Sequence, residues 1–312
     1  MQFSLLLTSI GGMGVMIGVG WFISRFVTFT ADMKRLLIFL LVNVALPCLI
    51  FSGISQLEFD RTLMLQVLAI IGISLLLHIA AIFVLWPIGK ALWRTESTAR
   101  EIAVLSTLGN TGIIGIPLSA TLFGPKGALF AAVFDVGMAV TLWTIAIVFL
   151  KQGERFRFSQ LKVMLNMPIC AIIVGLTLAL SGLHPPEFVK EVTGRMAAMT
   201  TPLAMIYLGL LISTTLTNVR QVLSPRLIPP MVGKLLVFPA MAALLIAALQ
   251  VPVEMASVIL VSAATPMATT VAIVFAKSGA DESFALVTTL VGTLVSLVTI
   301  PIVLYAGGFW IL

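Results

Sequence analysis

The residues best suited to chemistry sit in two short stretches of otherwise apolar sequence. The first is Leu108-Gly109-Asn110-Thr111-Gly112-Ile113-Ile114-Gly115-Ile116-Pro117-Leu118, with a glycine at every third position. The second is Ser262-Ala263-Ala264-Thr265-Pro266-Met267-Ala268-Thr269-Thr270, rich in small and hydroxylated residues. Both are poor helix material. A glycine costs about 1 kcal/mol relative to alanine in a helix interior, and a proline lacks an amide hydrogen and clashes with the carbonyl four residues back. A helix broken there starts again with unpaired N–H groups and roughly half a positive charge. Two such N-termini suit a carboxylate, whereas the C-terminal carbonyls of the preceding half-helices suit a cation. Asn110 is the leading candidate to touch a substrate, because its amide both donates and accepts. Thr111, Gly112 and Pro117 accompany it in the first stretch; Thr265, Pro266, Thr269 and Thr270 form the second. The structural alternative is that these polar groups only re-satisfy the broken backbone.

A second set is sparser. Asn43 and Pro47 repeat the theme upstream, and Thr201-Pro202 with Tyr207 repeat it downstream. Asn43 and Tyr207 are therefore further substrate-site candidates, against a capped kink for Asn43 and an interhelical hydrogen bond for Tyr207. Ionisable residues inside apolar segments are few, and at membrane depth they usually mark function. Asp135 is the natural proton or sodium acceptor, with a structural ion pair as the alternative. Lys234 attracts an anion or pairs with an acid. His78 reads as a satisfied buried histidine, and Glu101 and Glu254 as carboxylates opening their helices. There is no P-loop, H-E-x-x-H or G-x-S-x-G motif, and Cys48 and Cys170 lack metal-ligand spacing. No resident cofactor, metal centre or enzyme chemistry is expected.

The elements that position these residues are membrane spans. The chain of 312 residues is 60% hydrophobic and 10% charged, with a mean hydropathy of +1.17. A soluble domain carries about 25% charged residues. Ten apolar segments can be marked, near 3–24, 35–55, 62–86, 99–123, 126–150, 161–182, 194–216, 225–249, 254–277 and 283–310. Each is long enough to cross hydrocarbon as a helix. The net charge of +6 comes from short loops, so nucleic acid is not the expected partner; the bilayer is. Loops taken alternately hold thirteen Lys and Arg on one side and four on the other. That bias puts the richer side in the cytoplasm and both termini outside. The longest basic loop, 151–160, separates residues 1–150 from 161–312. Five spans in each half require the second half to enter inverted. Proline breaks at Pro117 and Pro266 then fall at matching positions, as in the substrate site of a secondary transporter. Gly14 and Gly18 form a Gly-x-x-x-Gly suited to close packing or a homodimer.

Asn43-Val44-Ala45-Leu46-Pro47-Cys48-Leu49-Ile50-Phe51, Gly109 to Pro117, Lys234-Leu235-Leu236-Val237-Phe238-Pro239 and the stretch around Pro266 together resemble the auxin efflux carrier family, the bacterial relatives of plant PIN carriers. The resemblance covers essentially the whole chain. It implies an all-α fold of ten helices in two inverted five-helix repeats, with the fourth and ninth helices broken at proline and crossing. It implies a scaffold and a transport domain, with the second and seventh helices in the latter. It also implies movement of small organic anions by alternating access. Sodium-coupled bile acid symporters are similar in fold, so a sodium symporter is one alternative function and a non-transporting receptor another. The long regulatory loop of the plant carriers is missing here, and auxin itself is not carried over as substrate.

Overall fold

A chain whose solvent is hydrocarbon must satisfy its backbone internally, and a helix does so within one segment. The computed structural model describes residues 3–93, 95–151, 162, 165–216 and 224–311. Among these residues there is no strand, only an isolated antiparallel bridge between Gly109 and Met267. The helices in chain order are α1 (Phe3–Ile23), α2 (Ala31–Ser55), α3 (Arg61–Leu92), α4 (Glu96–Thr107), α5 (Thr111–Leu150) and α6 (Met167–Leu180). They continue as α7 (Glu187–Ala198), α8 (Thr200–Leu216), α9 (Pro225–Ala248), α10 (Val253–Ala263), α11 (Thr270–Ser278) and α12 (Glu282–Ile311). Among the described residues, six helical stretches are long and apolar enough to cross a membrane: α2, α3, α5, α9, Glu187–Ile212 and Glu282–Gly307. Gly11–Ile23, Met167–Leu180 and Val253–Ala263 are shorter apolar helices. The central loop expected at 151–160 lies, beyond Lys151, outside the described residues.

Prolines shape the long helices in a repeated way. Five-residue π-turns at Leu41–Ala45, Thr111–Gly115 and Gly233–Val237 each end two residues before a proline, at Pro47, Pro117 and Pro239. A proline ring collides with the carbonyl four residues back, and a widened turn moves that carbonyl aside. The residue before the proline then reaches back five positions: Leu46 N–H donates to the Leu41 carbonyl and Phe238 N–H to that of Gly233. Pro117 is therefore carried inside helical structure, and the fourth span is not broken there as the sequence suggests. Its break lies earlier, at 108–110, between α4 and α5. The ninth span does break at proline, between α10 and α11 around Pro266. Helix α5 joins the second half of the fourth span to the fifth, with a sharp change of direction at Gly124 (φ 65°, ψ −152°), a conformation only glycine adopts readily.

The chain forms two compact units. Unit 1 holds residues 1–65, 112–133 and 166–219; unit 2 holds 66–111, 134–165 and 220–312. In unit 1, α1 lies directly against α8. A side chain at Gly20 would run into the Ile206 carbonyl, and one at Gly209 into the Ile17 carbonyl. Gly14 and Gly18 take no part in this packing, and a Cβ at either would meet nothing within 4 Å. In unit 2, an apolar core gathers Leu108, Trp143, Met267, Val271 and Phe275 around the two breaks.

Candidate functional site

The two breaks of unit 2 meet back to back. The Asn110 N–H donates to the Pro266 carbonyl at 2.7 Å, and the Ala268 N–H to the Leu108 carbonyl at 3.0 Å. These reciprocal bonds satisfy backbone groups that a broken helix would otherwise leave bare. The crossing is tight because Gly109 has no side chain. A Cβ there would lie 2.6 Å from Thr265 Oγ1 and 3.0 Å from Lys234 Nζ.

Lys234 reaches this point from the π-turn of α9 and is fully buried. Its ammonium donates to the Ala263 carbonyl at 2.8 Å, at the C-terminal end of α10. It also lies over the Phe238 ring, 4.1 Å from the centroid, where the electron-rich face attracts a cation. Thr265 Oγ1 donates to the Ser262 carbonyl at 2.7 Å. Three hydroxyls nearby in sequence to the two breaks, on Ser106, Thr111 and Ser262, are buried with no hydrogen-bond partner among the described residues. Buried hydroxyls seldom stay unpartnered in working proteins.

The sequence candidates therefore divide. Asn110, 6% exposed, Thr111, Thr265 and Pro266 are buried at the crossing. Thr269 is half-buried at the start of α11, and Thr270 is exposed. Asp135 is half-buried on the unit 2 part of α5. Gly112 and Pro117 belong to unit 1, where the Pro117 carbonyl accepts from Thr121 Oγ1 at 2.9 Å. Asn43 and Tyr207 also belong to unit 1, in the second and seventh spans that the resemblance placed in the transport domain. Asn43 Nδ2 donates to the Phe39 carbonyl at 3.3 Å, bracing the π-turn before Pro47. Tyr207 is buried edge-on to Phe29, with no partner for its hydroxyl among the described residues.

Two residues of unit 2 that the sequence read as structural make contacts it did not show. His78 is buried, with its ring 5.1 Å from Phe238 and 5.3 Å from Phe134. Its signal was a histidine deep in an apolar span. Glu101 does not open a helix: α4 starts at Glu96, and Glu101 lies well inside it. Its carboxylate accepts from Arg226 Nη2 at 2.7 Å and from the Asp281 N–H at 3.2 Å, while Arg226 Nη1 donates to Asp281 at 2.8 Å. This network ties α4, α9 and α12 together at one end of the unit. Beside it, Ser97, Glu101, Lys151, Lys277 and Ser278 line an open cavity of about 450 Å³. In unit 1, Ser52, Gln56, Thr121, Pro125 and Thr201 line another of about 320 Å³. Neither cavity is lined by Asn110 or Lys234.

A family model described as "Membrane transport protein" matches residues 9–160 and, again, 153–304. An uncharacterized transporter of Methanothermobacter thermautotrophicus is 25% identical over 263 residues, covering 84% of this chain and 85% of that protein. An uncharacterized transporter of Methanocaldococcus jannaschii is 25% identical over 208 residues, covering 64% of this chain and 66% of that protein.

Proposed function

Because the chain belongs to the membrane transport protein family, we propose that it is a secondary carrier moving a small organic anion, a carboxylate first of all, across the cytoplasmic membrane by alternating access. One observation carries the choice of an anion: the Lys234 side chain, a cation whenever Nζ is protonated, fully buried at the crossing of two broken helices. A cation at membrane depth is expensive unless it is compensated. Its present partners, a carbonyl and an aromatic ring, bring no negative charge. A carboxylate entering beside Asn110 would supply it and would take hydrogen bonds from the unpartnered hydroxyls. Asn110 is reached only when the site opens, as alternating access requires.

The wider arrangement belongs to the same proposal. The double match of the family model supports two repeats joined near residues 153–160. Five spans in each would make the second repeat inverted, and the basic loops would face the cytoplasm. Asp135 is the candidate for coupling to a cation, H⁺ or Na⁺. The open Gly14–Gly18 face is where a second copy would pack if the carrier dimerises.

A thermal-shift screen of the purified protein against organic acids, with and without sodium and at two pH values, tests the substrate class. A ligand at 100 times its dissociation constant stabilises by about 2.7 kcal/mol. Stabilisation by carboxylates, weakened in Lys234→Met, is expected. A response confined to neutral or cationic solutes would refute the anion. A response that depends on sodium would favour a sodium-coupled symporter.

A further inference from the structure

His78 and Lys234 share the ring of Phe238. The imidazole packs on it at 5.1 Å and the ammonium at 4.1 Å. The tautomer of the histidine is fixed by its neighbours. Nδ1 lies 2.6 Å from the Ser74 carbonyl, which can only accept, so Nδ1 carries the hydrogen. That leaves Nε2 with its lone pair, buried and without a partner among the described residues. Ser74 is held in turn, its hydroxyl donating to the Phe134 carbonyl at 2.7 Å. The imidazole is thus oriented from one side with its basic nitrogen left over on the other. The cation that packs on the same Phe238 ring is Lys234. The remaining titratable residue on the packed elements near this depth is Asp135, half-buried and next to Phe134 on α5.

We propose that His78 Nε2 and Lys234 Nζ form one proton-binding site inside unit 2, whose single proton balances the carboxylate of a bound anion so that anion and proton cross together. The proposal rests on the carrier function argued above. Two adjacent positive charges in a buried site repel strongly, so the pair holds one proton and not two. The single proton sits either on Nζ, as an ammonium beside a neutral imidazole, or on Nε2, as an imidazolium beside a neutral amine, and the charge is +1 in both cases. Loading takes one proton from water on the side to which the site is open, along with the anion. Release returns both on the other side, leaving the pair neutral. A buried carboxylate and the extra proton therefore stabilise each other, which couples their fluxes.

The chain has two histidines, His78 and an exposed His184, so ¹⁵N-histidine spectra of the purified protein read the site without any substrate. His184 is the internal standard. The Nδ1–H tautomer is expected for His78, with its Nε2 resonance moved and its protonation midpoint raised at least tenfold in proton affinity by Lys234→Met. His78→Asn keeps a donor for the Ser74 carbonyl but lacks Nε2. It should fold normally and, in vesicles, abolish the proton taken up with each carboxylate from a panel of succinate, glutarate and benzoate. A His78 spectrum identical in wild type and Lys234→Met across the titration would overturn the shared site, as would the Nε2–H tautomer. If the two residues prove coupled but no organic acid is carried, the proton site stands and the carrier function falls. If an acid is carried with no coupling between the residues, the reverse holds.

Discussion

Replacing Gly109 by alanine probes the crossing with a single methyl group. The new Cβ would lie 2.6 Å from Thr265 Oγ1, 3.0 Å from Lys234 Nζ and 3.1 Å from Lys234 Cε. All three atoms are in fully buried side chains, so none can simply swing into solvent. Overpacking a filled core costs about 1–3 kcal/mol. Moving the ammonium off the Ala263 carbonyl adds the loss of a buried hydrogen bond to a charged group, about 1.5–3 kcal/mol. The sum is about 2.5–6 kcal/mol. At roughly 2–4 °C per kcal/mol for a domain-sized unit, even the lower bound should lower the midpoint of thermal unfolding in detergent by about 5–10 °C at a fixed scan rate. The matched control is Gly72→Ala, in α3, where an added Cβ meets nothing within 4 Å. That change should be neutral or stabilise by up to about 1 kcal/mol through helix propensity. If Gly109→Ala melted with the wild type, or with Gly72→Ala, the close approach of Lys234 to the break would be refuted.

Three further outcomes follow from the packing. Arg226→Met should destabilise by about 3 kcal/mol, because it strands the buried carboxylate of Glu101; adding Glu101→Gln should recover much of the loss in urea or thermal unfolding. Gly209→Leu should separate α1 from α8 and lower the unfolding midpoint, whereas Gly14→Leu should not; loss of a crosslinked dimer in Gly14→Leu alone would support the homodimer. Glu96 accepts from Arg100 and pairs with Lys90, and the Arg100 hydrogen bond chiefly holds its carboxyl below the usual 4.5. A depressed folded-state value stabilises above the unfolded one and is lost as pH falls through it. The stability gap between wild type and Glu96→Gln should therefore be present at neutral pH and close in acid.

Much of the site was legible because its signals are local. Glycine and proline announce a weak helix wherever they occur in hydrocarbon, and a lysine well inside an apolar run announces itself. What sequence could not give was the tertiary reason for each glycine. Pro117 looks like the break because its clash is with its own chain, yet a π-turn absorbs it. Gly109 looks like one of three equivalent glycines, yet Thr265 and Lys234 are what demand it. His78 read as filler because nothing local says that Phe238 and Lys234, on another helix, come to its ring. Glu101 read as a helix opener for the same reason: its partner Arg226 is far along the chain. The fold class was legible from hydropathy and motif. The π-turns were not, although those at Leu41–Ala45, Thr111–Gly115 and Gly233–Val237 each precede a proline in a stretch the resemblance had already singled out.

The most direct test of the central claim is counterflow in proteoliposomes. Vesicles loaded with an unlabelled organic acid and diluted into the same acid in labelled form would be compared across a panel of carboxylates. The crossing predicts transient accumulation of at least one carboxylate by the wild type, with at least a tenfold loss in Asn110→Ala and in Lys234→Met despite normal folding. Flux equal to that of protein-free vesicles for every acid, or unaltered flux in both variants, would contradict it.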